Sequence, residues 1–213
     1  MERSDTLSRN AGGLGLPEGD ATDRVITFPN VLTAVRLALT PIFLVLIFAE
    51  SWYCVILALL VFTVASLTDF YDGRIARREG TVTSLGKFLD PLADKILVSS
   101  ALIAFVVLGM VEAWLVGAML LRDAVITGLR ILGVRRGKQV VTSRLAKWKT
   151  GLQLVLIFGI LVFINVNVIK ANLTSQPVVL VGSLSYLVLN VLVAAVTLVT
   201  VVSGVRYLMD LRR

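Results

Sequence analysis

Three long runs without a charged residue are the feature that most limits how this chain can fold. They span Ile96–Val111, Gly151–Ile169 and Ala171–Val205. About 18 or more consecutive apolar residues are long enough to cross a bilayer as a helix. Hydrophobic residues make up 57% of the chain and charged residues only 16%, whereas a soluble domain has about 25% charged residues. The sequence therefore predicts an all-α polytopic membrane protein. It excludes a soluble nucleotide-binding enzyme, a secreted disulfide scaffold and a disordered chain.

Hydropathy predicts six transmembrane helices in a single domain. This domain covers residues 24–213, and the polar residues 1–23, which lack an apolar stretch, form an N-terminal tail. The predicted helices are Val31–Ala49, Tyr53–Thr68, Lys87–Met110, Ala113–Leu132, Thr150–Ile169 and Leu184–Val205.

Lys and Arg residues collect on one side of these predicted helices. They precede the first helix, fill the second and fourth connections and end the chain, whereas the other side holds only Lys170. Because Lys and Arg accumulate on the cytoplasmic side, both termini are predicted to be cytoplasmic, in the cell inner (plasma) membrane. The formal charge of +7 then faces anionic lipid headgroups. The basic residues lie at helix ends rather than in a separate domain, which argues against nucleic-acid binding.

Four aspartates follow helical spacing on either side of the second connection. Asp69 and Asp72 share one helix face, as do Asp90 and Asp94. The stretch Arg78–Leu85 between the pairs contains Gly, Thr and Ser and is predicted to turn. Two antiparallel helices would bring the four carboxylates together at the cytoplasmic edge of the bilayer.

Converging carboxylates repel one another unless a cation neutralises them. The chain has no His and a single Cys, so the site offers only oxygen ligands, which select Mg²⁺ or Mn²⁺ over zinc. These ions also coordinate phosphate oxygens, which indicates phosphoryl chemistry. Gly73 and Ala76 would let a flat group approach the helix backbone, and Arg77 can donate several hydrogen bonds to a diphosphate.

The acidic stretch as a whole follows one extended motif. Its spacing is Asp69-x2-Asp72-Gly73-x2-Ala76-Arg77-x8-Gly86-x3-Asp90-x3-Asp94. This motif resembles the complete signature of the CDP-alcohol phosphatidyltransferase family, and the resemblance covers all but about the first two dozen residues. It implies a CDP-alcohol phosphotransferase-like bundle of six transmembrane helices. It also implies that CDP-diacylglycerol loses CMP when an alcohol attacks its β-phosphorus.

The same resemblance implies roles for individual residues. Two metal ions per site would be bound by Asp69, Asp72 and Asp90, with Asp94 as general base and further metal ligand. The residues implied to contact the CDP-lipid are Asn30, Thr33, Asp72, Gly73, Ala76, Arg77 and Gly86. Together with small residues in the helices, the resemblance implies a homodimer among membrane lipids.

Basic residues of the fourth and fifth helices indicate the acceptor. Arg122 and Arg130 lie eight residues apart on nearly one helix face, and Lys147 and Lys149 enter the next helix beside them. Buried cations need an anion, and Asp123 alone cannot satisfy both arginines. The four basic residues are therefore predicted to bind an acceptor phosphate. Three motifs resemble family members that act on sn-glycerol 3-phosphate: Pro29-Asn30-x2-Thr33-x2-Arg36, Arg122-Asp123-x2-Ile126-Thr127-x2-Arg130 and Ser143-x3-Lys147-x-Lys149-Thr150-x2-Gln153.

Several alternatives stay open at this point. Arg122 and Asp123 can form a purely structural ion pair, and the lysines can serve only to set the topology. The acceptor can be phosphatidylglycerol, which would give cardiolipin, or inositol phosphate, whereas serine would leave the basic residues without an anion. An ion-coupled transporter is a more distant alternative, because transporters bind near the bilayer midplane and these aspartates lie at one edge. A CMP-release assay with candidate acceptors separates these functions.

Overall fold

Six α-helices make up the part of the chain that the computed structural model describes, which covers residues 28–49, 51–79, 84–135 and 144–212. These ranges contain no β-strand. The helices are α1 (Phe28–Ile47), α2 (Trp52–Glu79), α3 (Ser84–Val107), α4 (Ala113–Arg135), α5 (Arg144–Thr174) and α6 (Ser183–Arg212). The predicted all-α fold with six helices is confirmed, and the predicted tail, residues 1–23, lies outside the described residues.

The observed helices extend further than their apolar segments. The largest differences are at α2, which continues to Glu79 instead of ending at Thr68, and at α6, which continues to Arg212 instead of Val205. The α5 helix also begins at Arg144 instead of Thr150. The predicted turn over Arg78–Leu85 is correspondingly too long, since the helices leave only residues 80–83 between them. Hydropathy marks the apolar part of a helix, but backbone hydrogen bonding continues where long polar side chains can reach water.

The helices pack in two groups. α1 packs against α2 and α3, α4 packs against α6, and α5 contacts both α2 and α6. Phe43 of α1 and Phe62 of α2 are buried, with ring centroids 5.6 Å apart. Ala58, Ala65 and Ala101 are also buried, because small side chains let helix backbones approach closely. The α5 helix therefore connects the group formed by α1, α2 and α3 with the pair formed by α4 and α6.

A hydrogen-bonded polar cluster fixes one end of the bundle. The Tyr186 hydroxyl donates to the Glu112 carboxylate at 2.5 Å. The Glu112 backbone N–H donates to the Asn190 side-chain oxygen at 2.8 Å, and the Asn190 amide donates to the Met110 carbonyl at 3.4 Å. These contacts join the end of α3 to the beginnings of α4 and α6. The beginning of α3 and the later turns of α4 and α6 consequently lie at the opposite end.

Two helices are long and apolar enough to cross a bilayer by length and composition. These segments are Lys149–Thr174 and Ser183–Met209, and the shorter apolar helices are Val31–Ile47, Trp52–Thr68 and Lys95–Val107. Charged residues explain why the other helices have shorter apolar segments. The acidic stretch shortens the apolar parts of α2 and α3, and Arg122 and Asp123 interrupt α4. Among the described residues, the prediction that each helix spans the membrane is therefore met by length and composition in α5 and α6.

The outer side of the bundle is strongly apolar. Side chains on four helices are between 68% and 78% exposed although they are large and hydrophobic: Val45, Trp114, Val155, Leu173 and Leu184. Soluble monomers rarely expose apolar surface of this extent. Such a surface is typical of a bundle that is covered by lipid or by another chain.

Candidate active site

The four predicted acidic positions lie on helical backbone near the connection between α2 and α3. Asp69 and Asp72 belong to the last turns of α2, and Asp90 and Asp94 belong to the first turns of α3. Their predicted helical spacing is thus confirmed for the backbone. Their side chains lie outside the described residues, so the convergence of four carboxylates stays a prediction. The same holds for the side chains of Asn30, Gly73, Ala76, Arg77 and Gly86.

A buried polar face of α1 lies beside the helix turn that leads into the aspartates. Thr33 is 3% exposed and Arg36 is fully buried. Arg36 Nε donates to the carbonyl oxygen of Ala65 at 3.3 Å. Ala65 lies one helical turn before Asp69, so the two positions share a face of α2. The sequence motif contained Arg36 but gave it no role, and an arginine within an otherwise apolar helix was the signal that it has polar partners inside the bundle.

A charged cluster joins α4, α5 and α6, and it consists of Arg122, Asp123, Lys149 and Ser203. Arg122 Nη1 donates to Asp123 Oδ1 at 3.2 Å, and Lys149 Nζ donates to the same oxygen. Arg122 Nη2 donates to Ser203 Oγ at 2.6 Å. The side chains of Arg122, Asp123 and Lys149 are 13%, 12% and 5% exposed. Two cations share one carboxylate in a largely buried position, so the cluster attracts a further anion.

The contact between Lys149 and Asp123 could not be read from the sequence. Spacing along α4 suggested Asp123 as a partner of Arg122, and that ion pair is observed. Which residues of α4 face α5 depends on how the two helices pack, so the second cation on Asp123 was missed. The side chains of Arg130 and Lys147 lie outside the described residues, and their contribution to a phosphate pocket stays a prediction.

The contribution of α6 to the charged cluster was also missed. Ser203 receives the hydrogen bond from Arg122, and Gly204 faces the same side chain, since a Cβ atom added there would lie 2.8 Å from Arg122 Nε. Glycine in a helix interior costs about 1 kcal/mol relative to alanine and usually has a packing reason. The glycine in an otherwise apolar helix was therefore the signal that could have revealed this contact.

The charged cluster lies at the same end of the bundle as the acidic positions. Lys149 is near the beginning of α5, and Ser203 is in the later turns of α6. The beginning of α3 is at this end as well, because the end of α3 lies in the hydrogen-bonded polar cluster at the other end. The acidic positions and the charged cluster therefore share one end of the bundle, as a reaction between a donor and an acceptor bound at these two places would require.

Comparison with known sequences agrees with this arrangement. The family model described as CDP-alcohol phosphatidyltransferase matches residues 26–202. This range includes the acidic positions of α2 and α3 as well as Arg122, Asp123 and Lys149.

Individual relatives come from several bacteria. The chain is 39% identical over 149 residues to the CDP-diacylglycerol--glycerol-3-phosphate 3-phosphatidyltransferase of Bacillus subtilis (strain 168), and the match covers 64% of this chain and 77% of the relative. It is 35% identical over 187 residues to a probable phosphatidylglycerophosphate synthase of Mycobacterium tuberculosis (strain ATCC 25618 / H37Rv), covering 86% and 81%. It is 37% identical over 123 residues to a cardiolipin synthase (CMP-forming) of Streptomyces coelicolor, covering 54% of each chain. Because the family match extends over most of the chain, the protein belongs to the CDP-alcohol phosphatidyltransferase family.

Proposed function

We propose that this protein is a membrane enzyme that transfers the phosphatidyl group of CDP-diacylglycerol to sn-glycerol 3-phosphate. The products are CMP and phosphatidylglycerophosphate. Family membership supports the transfer from a CDP-linked donor, and the relatives in Bacillus subtilis and Mycobacterium tuberculosis carry names that fit this reaction. The observation that carries the choice of acceptor is the charged cluster, because its two buried cations share one carboxylate and, together with Arg130 and Lys147, suit a phosphate dianion.

The donor side is proposed to lie where α2 ends and α3 begins. Asp69 and Asp72 on one helix, and Asp90 and Asp94 on the other, offer an all-oxygen donor set that fits two Mg²⁺ or Mn²⁺ ions. When bound, such ions neutralise charge on the diphosphate and make CMP a better leaving group.

The remaining donor chemistry is assigned to side chains of the same two helices and of α1. The acceptor hydroxyl oxygen forms a bond to the β-phosphorus, the bond from that phosphorus to CMP breaks, and Asp94 accepts the hydroxyl proton. Asp94 lies one helical turn further into the bundle than Asp90, so it can reach the acceptor. Arg77 donates hydrogen bonds to the diphosphate, and Gly73 and Ala76 leave room for the nucleotide. Asn30, Thr33 and Gly86 complete the proposed set of donor contacts.

The acceptor side is proposed to be the charged cluster together with Arg130 and Lys147. A phosphate monoester carries about −1.5 to −2 charges at neutral pH. Together, Arg122, Lys149, Arg130 and Lys147 bring four positive charges against the single negative charge of Asp123, so a phosphate monoester would compensate most of the excess.

We further propose that residues 24–213 form a multi-pass domain of the inner (plasma) membrane. The exposed apolar side chains of the bundle support contact with lipid. The connections 48–51, 108–112 and 175–182 at one end of the helices contain no Lys or Arg, whereas the other end is rich in both. By the positive-inside rule, the active site and both termini are cytoplasmic.

A homodimer is the proposed assembly. Gly117 of α4 and Gly159 of α5 have no atom within 4 Å of the position of an added Cβ. Exposed small residues of this kind let transmembrane helices of two subunits approach closely. Cross-linking in native membranes, followed by mass determination, measures the number of chains.

A second acceptor deserves the same assay, because the relative in Streptomyces coelicolor is named a cardiolipin synthase. Phosphatidylglycerol would be the acceptor in that reaction. Its phosphodiester carries a single negative charge, so it would compensate the three excess positive charges of the whole acceptor side less completely than a monoester does.

CMP release by the purified protein tests the proposal. The assay combines CDP-diacylglycerol and Mg²⁺ with sn-glycerol 3-phosphate, phosphatidylglycerol, inositol phosphate or serine, and the lipid product is identified by mass spectrometry. We expect the fastest release with sn-glycerol 3-phosphate. Faster release with phosphatidylglycerol would replace the proposed acceptor and leave the donor chemistry standing, and no release with any acceptor would favour a transporter.

A further inference from the structure

The α6 helix contacts Arg122 at two adjacent residues. Ser203 Oγ accepts the hydrogen bond from Arg122 Nη2 at 2.6 Å and donates its own hydrogen to the carbonyl oxygen of Thr200 at 3.1 Å. The second bond fixes the direction of the hydroxyl hydrogen, so that a lone pair of the oxygen points at the guanidinium. Ser203 is 7% exposed, which leaves little room for this hydroxyl to turn towards water.

Gly204 limits where the Arg122 side chain can lie. A Cβ atom added at Gly204 would be 2.8 Å from Nε, 3.0 Å from Cγ and 3.4 Å from Cδ of Arg122. These atoms belong to the middle of the side chain, so a methyl group could not be accommodated by moving the guanidinium tip alone. Glycine at this position therefore lets Arg122 lie directly against the backbone of α6.

The position of Arg122 affects the other charges of the cluster. Its Nη1 binds Asp123 Oδ1 at 3.2 Å, and the same oxygen binds Lys149. Only two of the five guanidinium N–H groups are used in these contacts. Among the described residues, the buried Nε has no hydrogen-bond partner. Moving the guanidinium would thus change both the donors that face an incoming anion and the orientation of the carboxylate that holds Lys149.

We propose that Ser203 and Gly204 are positioning residues that set the site for the acceptor phosphate through Arg122. This inference rests on the proposed function of the charged cluster. The two residues act on the acceptor alone, because their contacts are with Arg122 of α4 and the proposed donor site is formed by residues of α1, α2 and α3.

Steady-state kinetics of four variants test the inference. Ser203→Ala removes the hydrogen bond, Ser203→Thr keeps the hydroxyl, and Gly204→Ala adds the interfering methyl group. Gly182→Ala, just before α6 at the other end of the bundle, is the control, because nothing lies within 4 Å of its added Cβ. We expect Ser203→Ala and Gly204→Ala to raise the KM for sn-glycerol 3-phosphate about tenfold, the effect of losing one hydrogen bond to a charged group. The KM for CDP-diacylglycerol should change by less than about twofold, and Ser203→Thr and Gly182→Ala should resemble the wild type.

The outcomes separate this inference from the proposed function. If the wild type releases no CMP with sn-glycerol 3-phosphate, the proposed function is wrong and the inference falls with it. If the wild type is active but both KM values of Ser203→Ala rise together, or neither rises, only the positioning role is overturned. Thermal unfolding in detergent identifies a variant that has lost its fold. Should Gly204→Ala do so, the comparison of Ser203→Ala with Ser203→Thr decides.

Discussion

Removing the negative charge of Asp123 while keeping its shape tests the shared carboxylate at the centre of the charged cluster. In the Asp123→Asn variant, Arg122 and Lys149 both lose their ionic partner. Lys149 cannot turn to solvent, because its side chain is only 5% exposed. Breaking a buried ion pair by removing one partner costs about 3–5 kcal/mol. Since the arginine is 13% exposed and keeps its bond to Ser203, we expect the lower end of this range, about 3 kcal/mol of unfolding free energy.

Removing the charge of Lys149 instead of that of Asp123 should lower the unfolding free energy much less. Lys149→Met keeps most of the side-chain volume and leaves Asp123 paired with Arg122 at 3.2 Å. Because Asp123 still has a cationic partner in this variant, we expect the unfolding free energy to fall by about 1 kcal/mol or less.

Combining the two changes provides the decisive measurement. The double variant has one cation without an ionic partner, whereas Asp123→Asn alone has two. The double variant should therefore be more stable than Asp123→Asn, with a coupling free energy of about 2 kcal/mol. The assay is equilibrium unfolding in mixed detergent micelles, followed by circular dichroism.

A control and a refuting result complete this experiment. Lys170→Met, at the exposed far end of α5, should change stability by no more than about 0.5 kcal/mol. If the effects of Asp123→Asn and Lys149→Met add within about 0.5 kcal/mol, the two side chains are not coupled and the shared carboxylate is refuted.

Three further predictions concern the proposed donor site. Asp69→Asn, Asp72→Asn and Asp90→Asn should each abolish CMP release without unfolding the protein. Excess EDTA should also abolish CMP release until Mg²⁺ or Mn²⁺ is restored. Full turnover in a metal-free preparation would contradict the metal site. Asp94→Asn should retain CDP-lipid binding but lose about two to four orders of magnitude in rate, and loss of binding in parallel with rate would make Asp94 chiefly a metal ligand. Gly73→Leu should block CMP binding in a titration while a metal probe still binds, and unchanged CMP affinity would refute the close approach of the nucleotide.

The helices of this protein could be predicted because their cause is local. Uncharged apolar runs located α5 and α6, and the same pattern located the other four helices. The lengths were less predictable, since α2 continues through its acidic end to Glu79. The backbone of that segment is helical although its residues are polar, and hydropathy does not report backbone hydrogen bonding. The spacing of Asp69 and Asp72 was the feature that predicted a helix in this segment.

Contacts between helices distant in the sequence could not be predicted in the same way. Asp123 was visible as a neighbour of Arg122, but its bond to Lys149 depends on how α4 faces α5. The approach of Gly204 to Arg122 joins residues from α6 and α4. Such contacts are set by the rotation and depth of each helix, which change when any side chain in the interface changes.

This difference between local and distant contacts bears on how one family can use different acceptors. The acidic motif lies on two consecutive helices joined by a short connection, so the placement of its residues depends on α2 and α3 alone. The charged cluster instead requires α4, α5 and α6 to meet, and one methyl group at Gly204 would displace Arg122. Relatives named for glycerol-3-phosphate transfer and for cardiolipin synthesis occur in the same family. On the proposed assignment, a change in the packing of the last three helices would alter the acceptor site and leave the locally fixed donor residues in place.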